Sequence, residues 1–146
     1  MKLVIVSADE AGRSGVESER QLPAGQSAWL WDEPEFAGLE DNLRRIDPDL
    51  LLARAEPRGA VRWLYTIFPP RSETAIGEEF GMHASRTVDF DACLAGHVQC
   101  VLDTGVVDLF AGDFIIIKAA THEWRNASSD DVAVMLFLIH GAEHPS

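Results

Sequence analysis

Residues 87–126 read TVDFDACLAGHVQCVLDTGVVDLFAGDFIIIKAATHEWRN. Short runs rich in apolar and β-branched residues alternate here with turn signals such as Thr104-Gly105 and Gly112-Asp113. The runs predict five strands: Thr87–Leu94, Val98–Leu102, Val106–Phe110, Phe114–Ile117 and His122–Asn126. Short strands with a turn about every 8–12 residues are typical of a β sandwich or barrel. The stretch therefore predicts an all-β fold.

The flanking sequence extends this pattern on both sides. Val61–Phe68 and Val132–His140 also read as strands. The first 59 residues are less regular, and we predict a strand at Leu3–Val6, an edge strand at Ser27–Trp31 and a helix over Pro34–Ile46. We expect one structural domain, in which residues 1–59 form an N-terminal arm packing on a barrel of residues 60–146.

Charge and hydropathy exclude several classes of partner. The chain has 146 residues, with 24 Asp and Glu against 12 Lys and Arg, giving a net charge of −12. Binding to nucleic acid or to an anionic membrane needs a basic face, so we expect neither. The longest apolar run, Val132–Ile139, is far shorter than the roughly 20 residues of a membrane span.

The same sequence indicates the compartment and the place of the acidic residues. No signal peptide is visible, and two cysteines are too few for a disulfide framework, so we expect a cytoplasmic protein. We also expect every acidic side chain except Asp89 to lie at the surface or in turns.

Three residues suggest chemistry: His83, Asp89 and His122. Even spacing within a strand places side chains on one face, so Ser85 joins His83, and Asp91 joins Asp89. Two imidazoles and one carboxylate form a set that holds a first-row divalent metal with open positions. The alternative is that each His makes ordinary hydrogen bonds or lies at the surface.

Two stretches resemble the two motifs of the cupin family: residues 82–96, MHASRTVDFDACLAG, and residues 112–126, GDFIIIKAATHEWRN. In cupins the first motif is His-x-His, three or four residues, Glu, six residues and Gly. The second is a Gly-Asp strand that ends in a short loop and His, with Asn four residues later. The positions that match are His83, Asp89, Gly96, Gly112, Asp113, His122 and Asn126.

The chain departs from the general pattern at several points. Ser85 stands where the second His usually is, Asp89 is shorter than Glu, and Lys118 replaces the usual Pro. A subgroup of small bacterial and fungal cupins is similar in register, with Thr-x-Asp-Tyr, Leu-Asp-x-Gly and His-Ala-Trp-x-Asn. The matching segments here are residues 87–90 (TVDF), 102–105 (LDTG) and 122–126 (HEWRN).

The resemblance implies a cupin double-stranded β-helix, or jelly roll, and a homodimer. It implies that His83, Asp89 and His122 hold a divalent transition metal ion (Fe, Mn, Ni or Zn). Ser85 and Trp124 are the tentative pocket and catalytic residues. Trp124 lies two residues beyond His122, so it shares that face. It either stacks on a planar substrate or is an aromatic residue of the core.

Two functions remain open at this point. The first is a metal-dependent enzyme acting on a small organic molecule, as a lyase, dehydratase, decarboxylase, cyclase or dioxygenase. The second is a non-catalytic cupin that binds a small ligand without a functional metal, which the missing second His favours. A storage role is a third reading, and the partly retained pocket motif argues against it.

Overall fold

The computed structural model describes residues 1–33, 36–52, 57–70 and 81–142. It contains nine strands and one helix within those ranges. They are β1 (Lys2–Ala8), β2 (Ser14–Gln21), α1 (Leu39–Arg45), β3 (Val61–Phe68), β4 (Thr87–Ala95), β5 (His97–Leu102), β6 (Gly105–Phe110), β7 (Phe114–Lys118), β8 (Glu123–Asn126) and β9 (Ala133–Gly141).

The strands form two sheets. The larger sheet has six strands in the order β2-β1-β7-β4-β9-β3, and the smaller has three in the order β6-β5-β8. Neighbouring strands are antiparallel except for β1 and β7, which are parallel. Strand order departs from chain order in both sheets, as in a jelly roll rather than a simple meander. The predicted all-β jelly roll is therefore confirmed.

The main core lies between the two sheets because alternate side chains of each strand point toward the other sheet. On β5, for example, Val98, Cys100 and Leu102 are buried and their neighbours are only partly buried. They pack with Leu109 of β6 and with residues of the larger sheet such as Ile115, Ile117 and Met135. This packing fixes the strands that carry the candidate site.

One turn in this framework depends on glycine. Gly96 joins β4 to β5 with φ +79, a left-handed conformation that side chains with a Cβ rarely adopt. A Cβ added there would lie 2.7 Å from the carbonyl oxygen of Val132. Glycine at this position is required both by the backbone conformation and by the close approach of the neighbouring chain.

The strand predictions from Val61 onward are confirmed to within one or two residues at each end. Ser27–Trp31 is not a strand, so that prediction was wrong. The helix is shorter than predicted: it begins at Leu39, directly after Gly38 in a left-handed conformation. Pro34 and Glu35, at the predicted start, lie outside the described residues.

The beginning of the chain belongs partly to the sheet itself. β1 lies between β2 and β7 in the larger sheet, so residues 2–21 are sheet strands and not an arm lying against it. A second apolar cluster then forms on the outer face of that sheet, where Trp31, Phe36 and Leu39 contact Phe90 and Ile116. The described residues of 22–33 and 36–39 thus cover part of this face. The predicted boundary at 59/60 stays a prediction.

Lys118 helps to attach this covering segment. It is buried at the end of β7, and its Nζ donates to the carbonyl oxygen of Ala37 (3.0 Å) and pairs with Glu17. Asn42 donates to the carbonyl oxygen of Lys118 (2.7 Å) and to Ser7 Oγ (2.8 Å). Lys118, which stands where the cupin pattern has Pro, therefore joins the end of β7 to the segment that covers the outer face of the larger sheet.

The acidic side chains do not all lie at the surface, so that expectation was wrong. Asp113 is buried and accepts hydrogen bonds from the backbone N–H groups of Lys2 and Phe110. Glu123 is buried and accepts from Arg125 Nε (2.7 Å). Asp91 is buried as well. Within the described ranges, no helix is long and apolar enough to cross a membrane.

Candidate functional site

A cavity of about 620 Å³ lies between the two sheets. That size is ordinary for a small-molecule site, since such pockets span about 300–1,000 Å³. All five residues singled out from the sequence line it: His83, Ser85, Asp89, His122 and Trp124. The other described lining residues are Leu52, Leu64, Tyr65, Thr66, Ile67, Phe68, Phe137 and Ile139.

The two histidines are cross-strand neighbours. The backbone N–H of each donates to the carbonyl oxygen of the other, at 3.0 and 2.9 Å, in an isolated antiparallel bridge. Their ring centroids are 4.6 Å apart. The bridge therefore places one imidazole from just before β4 beside one from just before β8, although 39 residues separate them in sequence.

Each imidazole is oriented by a backbone carbonyl. His83 Nδ1 lies 2.8 Å from the oxygen of Gly81, and His122 Nδ1 lies 2.9 Å from the oxygen of Ala120. The pKa of each ring is lowered from 6.5 to about 4. Burial is the main cause for both rings, and for His83 the neighbouring His122 also contributes to this lowering. Both rings are therefore neutral at neutral pH.

Ser85, Thr87 and Asp89 lie on one face and are joined by a chain of hydrogen bonds, which we call the hydrogen-bonded file. Ser85 Oγ lies 2.6 Å from Thr87 Oγ1, and Thr87 Oγ1 lies 2.6 Å from Asp89 Oδ1. Their even spacing puts the three on one side of the chain. Thr87 and Asp89 are buried, and Ser85 is partly exposed. The file runs from the cavity wall at Ser85 into the interior at Asp89.

Asp91 is two residues beyond Asp89 on β4 and lies on the same face, but it differs from Ser85, Thr87 and Asp89 in its hydrogen bonding. Among the described residues, neither of its carboxyl oxygens has a hydrogen-bond partner of ordinary geometry. Burial raises its pKa well above the usual range and the charge of Asp89 raises it further, while the backbone N–H of Leu138 offsets only part of the rise. Burial therefore favours the protonated form of Asp91.

Aromatic rings form part of the apolar wall of the cavity. Trp124 contacts His122 edge-on, with ring centroids 5.6 Å apart, and contacts Phe137 in the same manner at 5.5 Å. Both Trp124 and Phe137 are more than nine-tenths buried. Edge-to-face contacts of this kind hold the rings in fixed positions, so the wall is rigid.

The donor set fits a metal ion only in part. Both imidazoles have Nδ1 engaged by a carbonyl and Nε2 left as a lone-pair donor, the usual arrangement of metal-binding histidines. However, the part of the chain that the structure describes contains no group of three or more His, Cys, Asp or Glu side chains placed to hold a metal. The three-ligand set of His83, Asp89 and His122 stays a prediction.

The two motifs of the sequence thus meet at a single cavity between the sheets of a jelly roll. The fold is an all-β jelly roll of two sheets. No family model matches the chain, and no curated protein does.

Two solved structures are similar to this chain. One is a cupin protein from Bacteroides fragilis, with 21% identity, 59% of this chain and 68% of that chain covered, and a TM-score of 0.42. The other is the Cupin_2 domain of an XRE family transcriptional regulator from Enterobacter cloacae, with 19% identity, coverage of 62% and 75%, and a TM-score of 0.34. Both of these solved structures are cupin domains.

Sequence reasoning missed two groups of residues at this site. Thr87 was not singled out, although its even spacing from Ser85 and Asp89 places it on the same face. Leu64, Thr66 and Phe68 of β3 also line the cavity. Their strand was predicted, but nothing in the sequence shows that it lies beside β9 at the edge of the larger sheet.

Proposed function

We propose that this cupin-type domain binds a small, largely apolar organic molecule inside its barrel, with His83, Ser85, Asp89 and His122 meeting the polar end of that molecule. One observation carries the proposal: these four residues and the aromatic wall line the same cavity. A mainly apolar pocket with a few converging polar groups is the usual form of a small-molecule site.

Calorimetric titration with a small aromatic compound such as 2-naphthol tests this proposal. We expect binding to the parent and to Phe110→Trp, a change on exposed β6 surface, and loss of binding in Phe137→Trp, which fills the cavity. Leu64→Trp provides a second filled cavity should Phe137→Trp fold poorly. Absence of binding to the parent, or equal binding to the filled variants, would contradict the proposal.

Metal-dependent chemistry on such a molecule is a second candidate, favoured by the two carbonyl-anchored imidazoles. His83 and His122, with Asp89 as the third predicted ligand, would hold a divalent transition metal ion such as Fe, Mn, Ni or Zn. When bound, such an ion supplies Lewis-acid polarisation of a carbonyl or carboxylate, as a lyase, dehydratase, decarboxylase, cyclase or dioxygenase requires.

The metal content of protein purified without a His tag tests this candidate. We expect about one metal ion per chain in the parent and in His97→Ala, a histidine of β5 outside the cavity, and much less in His122→Ala. Substoichiometric metal in the parent, or an unchanged level in His122→Ala, would favour the metal-free binding function.

The partner that we propose is a second copy of this chain, docked on the outer face of β3. Val61, Trp63, Tyr65 and Ile67 alternate along this edge strand and are 50–74% exposed. None is charged, although a quarter of the chain is. Two copies that each carry a charge of −12 repel least where their contact surface carries no acid.

The apolar area of these four side chains supports a second copy of this chain as the molecule that covers them. At these exposures the four side chains present roughly 500 Å² of apolar surface, since a large aromatic side chain alone covers about 150–250 Å². That is more than half of the roughly 800 Å² that each partner buries in a stable interface. Leu138 of β9, the cross-strand partner of Trp63, is also exposed and extends the surface.

Sedimentation velocity of the parent and two variants tests the dimer. We expect a dimer for the parent and for Val106→Glu, which alters a half-exposed apolar residue on β6, and a monomer for Trp63→Glu. A monomeric parent at about 100 μM, or a dimeric Trp63→Glu, would rule out this surface.

A further inference from the structure

The cavity reaches the surface of the protein at strand β3. Among the described residues that line it, the exposed ones are Leu64, Tyr65 and Ile67, and all three belong to β3. The described lining residues from every other element are buried or only partly buried. The end of the cavity that is nearest to water therefore lies along this strand.

The inner face of β3 shows where the shielding ends. Leu64 lies opposite Phe137 of β9, and cross-strand partners point to the same face of a sheet. Leu64 is nevertheless 43% exposed, whereas Phe137 is 8% exposed. The two differ because β9 lies between β4 and β3, while β3 is the last strand of the larger sheet. A molecule in the cavity would thus keep part of its apolar surface in contact with water beside Leu64.

The same strand carries the surface that we propose for a second copy of this chain. Tyr65 and Ile67 belong both to the exposed row on the outer face of β3 and to the lining of the cavity. The docking surface and the end of the cavity are therefore parts of one strand. A second copy that covers Tyr65 and Ile67 lies at the rim of the cavity and shields it from water.

Charge distinguishes this edge of the larger sheet from the opposite one. β2, at the other edge, exposes Glu17, Glu19 and Arg20, and charged side chains on an edge strand discourage pairing with another chain. β3 has one charged residue, Arg62, in eight. An edge without acidic residues is where two copies that each carry a charge of −12 approach with least repulsion.

We infer that the second copy completes the cavity at β3, so that a bound molecule and the dimer stabilise each other. The monomer leaves the β3 end of the ligand in water, and the dimer covers it. The inference rests on the proposed binding function and the proposed dimer, and it states how the two are coupled. Because such coupling is reciprocal, each bound ligand tightens the dimer by the factor by which dimerisation tightens that ligand.

The expected factor follows from the area that the second copy covers. A ligand that hides about 60 Å² more apolar surface in the dimer than in the monomer gains about 10-fold in affinity. A dimer has two cavities, so saturating both should lower its dissociation constant by about 100-fold.

Binding of 2-naphthol to dimeric and monomeric forms of the protein tests this coupling. It is titrated calorimetrically into the parent and into Trp63→Glu and Val61→Glu, two changes to exposed residues outside the described cavity lining that should each give a monomer. We expect binding about 10-fold weaker to both variants. Val106→Glu adds the same charge on β6 and should bind as the parent does.

A second measurement needs no substitution. Sedimentation velocity of the parent over a dilution series, with and without saturating 2-naphthol, gives the dissociation constant of the dimer in both states. We expect the ligand to lower this constant by about 100-fold, as two coupled sites require.

The outcomes separate the coupling from the proposals beneath it. Weaker binding to both monomeric variants, with a dimer that the ligand tightens, supports the inference. Equal binding to monomeric Trp63→Glu and to the dimeric parent, or a dimer dissociation constant that 2-naphthol leaves unchanged, overturns it while the binding function stands. Absence of binding to every form counts against the binding function, a monomeric parent counts against the docking surface, and either result overturns the inference as well.

Discussion

The neutral state of His122 makes a prediction about stability in acid. Burial holds its pKa at about 4 in the folded protein, whereas the unfolded chain has the ordinary value of 6.5. Between these values the unfolded state binds more protons, so stability from this group is present above pH 6.5 and is lost as the pH falls toward 4. Each pH unit across the window is worth about 1.4 kcal/mol.

The magnitude follows from these two values. Between pH 7.5 and pH 4.5 the His122 contribution to the free energy of unfolding falls by about 2.5 kcal/mol. His122→Gln keeps a polar side chain but removes the titration. We therefore expect the stability difference between parent and variant to shift by about 2.5 kcal/mol in favour of the variant over this pH range.

Urea unfolding followed by circular dichroism at pH 7.5, 6.0 and 4.5 measures this shift. Taking the difference from the parent cancels the titration of the many carboxylates that both proteins share. Ser85→Ala is the matched control, because it changes the same cavity without removing a titrating group, and its difference from the parent should not depend on pH. A His122→Gln difference that is constant to within about 0.5 kcal/mol would refute a buried, neutral His122.

Three further substitutions test the interior. Asp91→Val removes a buried acid without hydrogen-bond partners among the described residues, so we expect a gain of about 1–3 kcal/mol at pH 7 by urea unfolding; a loss of stability would show that Asp91 has a partner. Thr87→Val breaks the file on both sides and should cost about 2 kcal/mol, while Thr87→Ser costs less; equal stabilities would mean that the file contributes nothing. Gly96→Ala should cost about 2 kcal/mol or more and exceed Gly25→Ala, where φ is +75 but no atom lies within 4 Å; similar losses would exclude the contact with Val132 as a cause.

The strands from Val61 onward were predictable because both of their signals are local. The strands β4 to β9 have a buried face, as in β5, and turn residues such as Gly96 and Gly105 separate them. In β3 only Phe68 is buried, and its signals are its aromatic and β-branched residues and the Pro69-Pro70 that ends it. β2 has neither signal: after Ser14 and Gly15 its side chains are exposed, and it is held by backbone pairing with β1. A strand that is stabilised mainly by pairing with its neighbour need not show the apolar alternation from which strands are predicted.

The candidate site was predictable in its members but not in its hydrogen bonding. The motif residues His83, Asp89 and His122 do line one cavity. Which imidazole nitrogen carries the proton, however, depends on the carbonyls of Gly81 and Ala120, and every residue has such a carbonyl. The burial of Asp91 was missed for a related reason, since a carboxyl group is expected at the surface and only the packing places it inside.

The protonation state of the two cavity histidines, measured by long-range ¹H–¹⁵N NMR, tests the central claim most directly. At neutral pH we predict that Nδ1 carries the proton and Nε2 is bare in both His83 and His122, and that the Nε2 resonances shift when 2-naphthol is added. A protonated Nε2 in either ring, or resonances that 2-naphthol leaves unchanged while it binds, would contradict two neutral, carbonyl-anchored imidazoles that meet the polar end of a bound molecule.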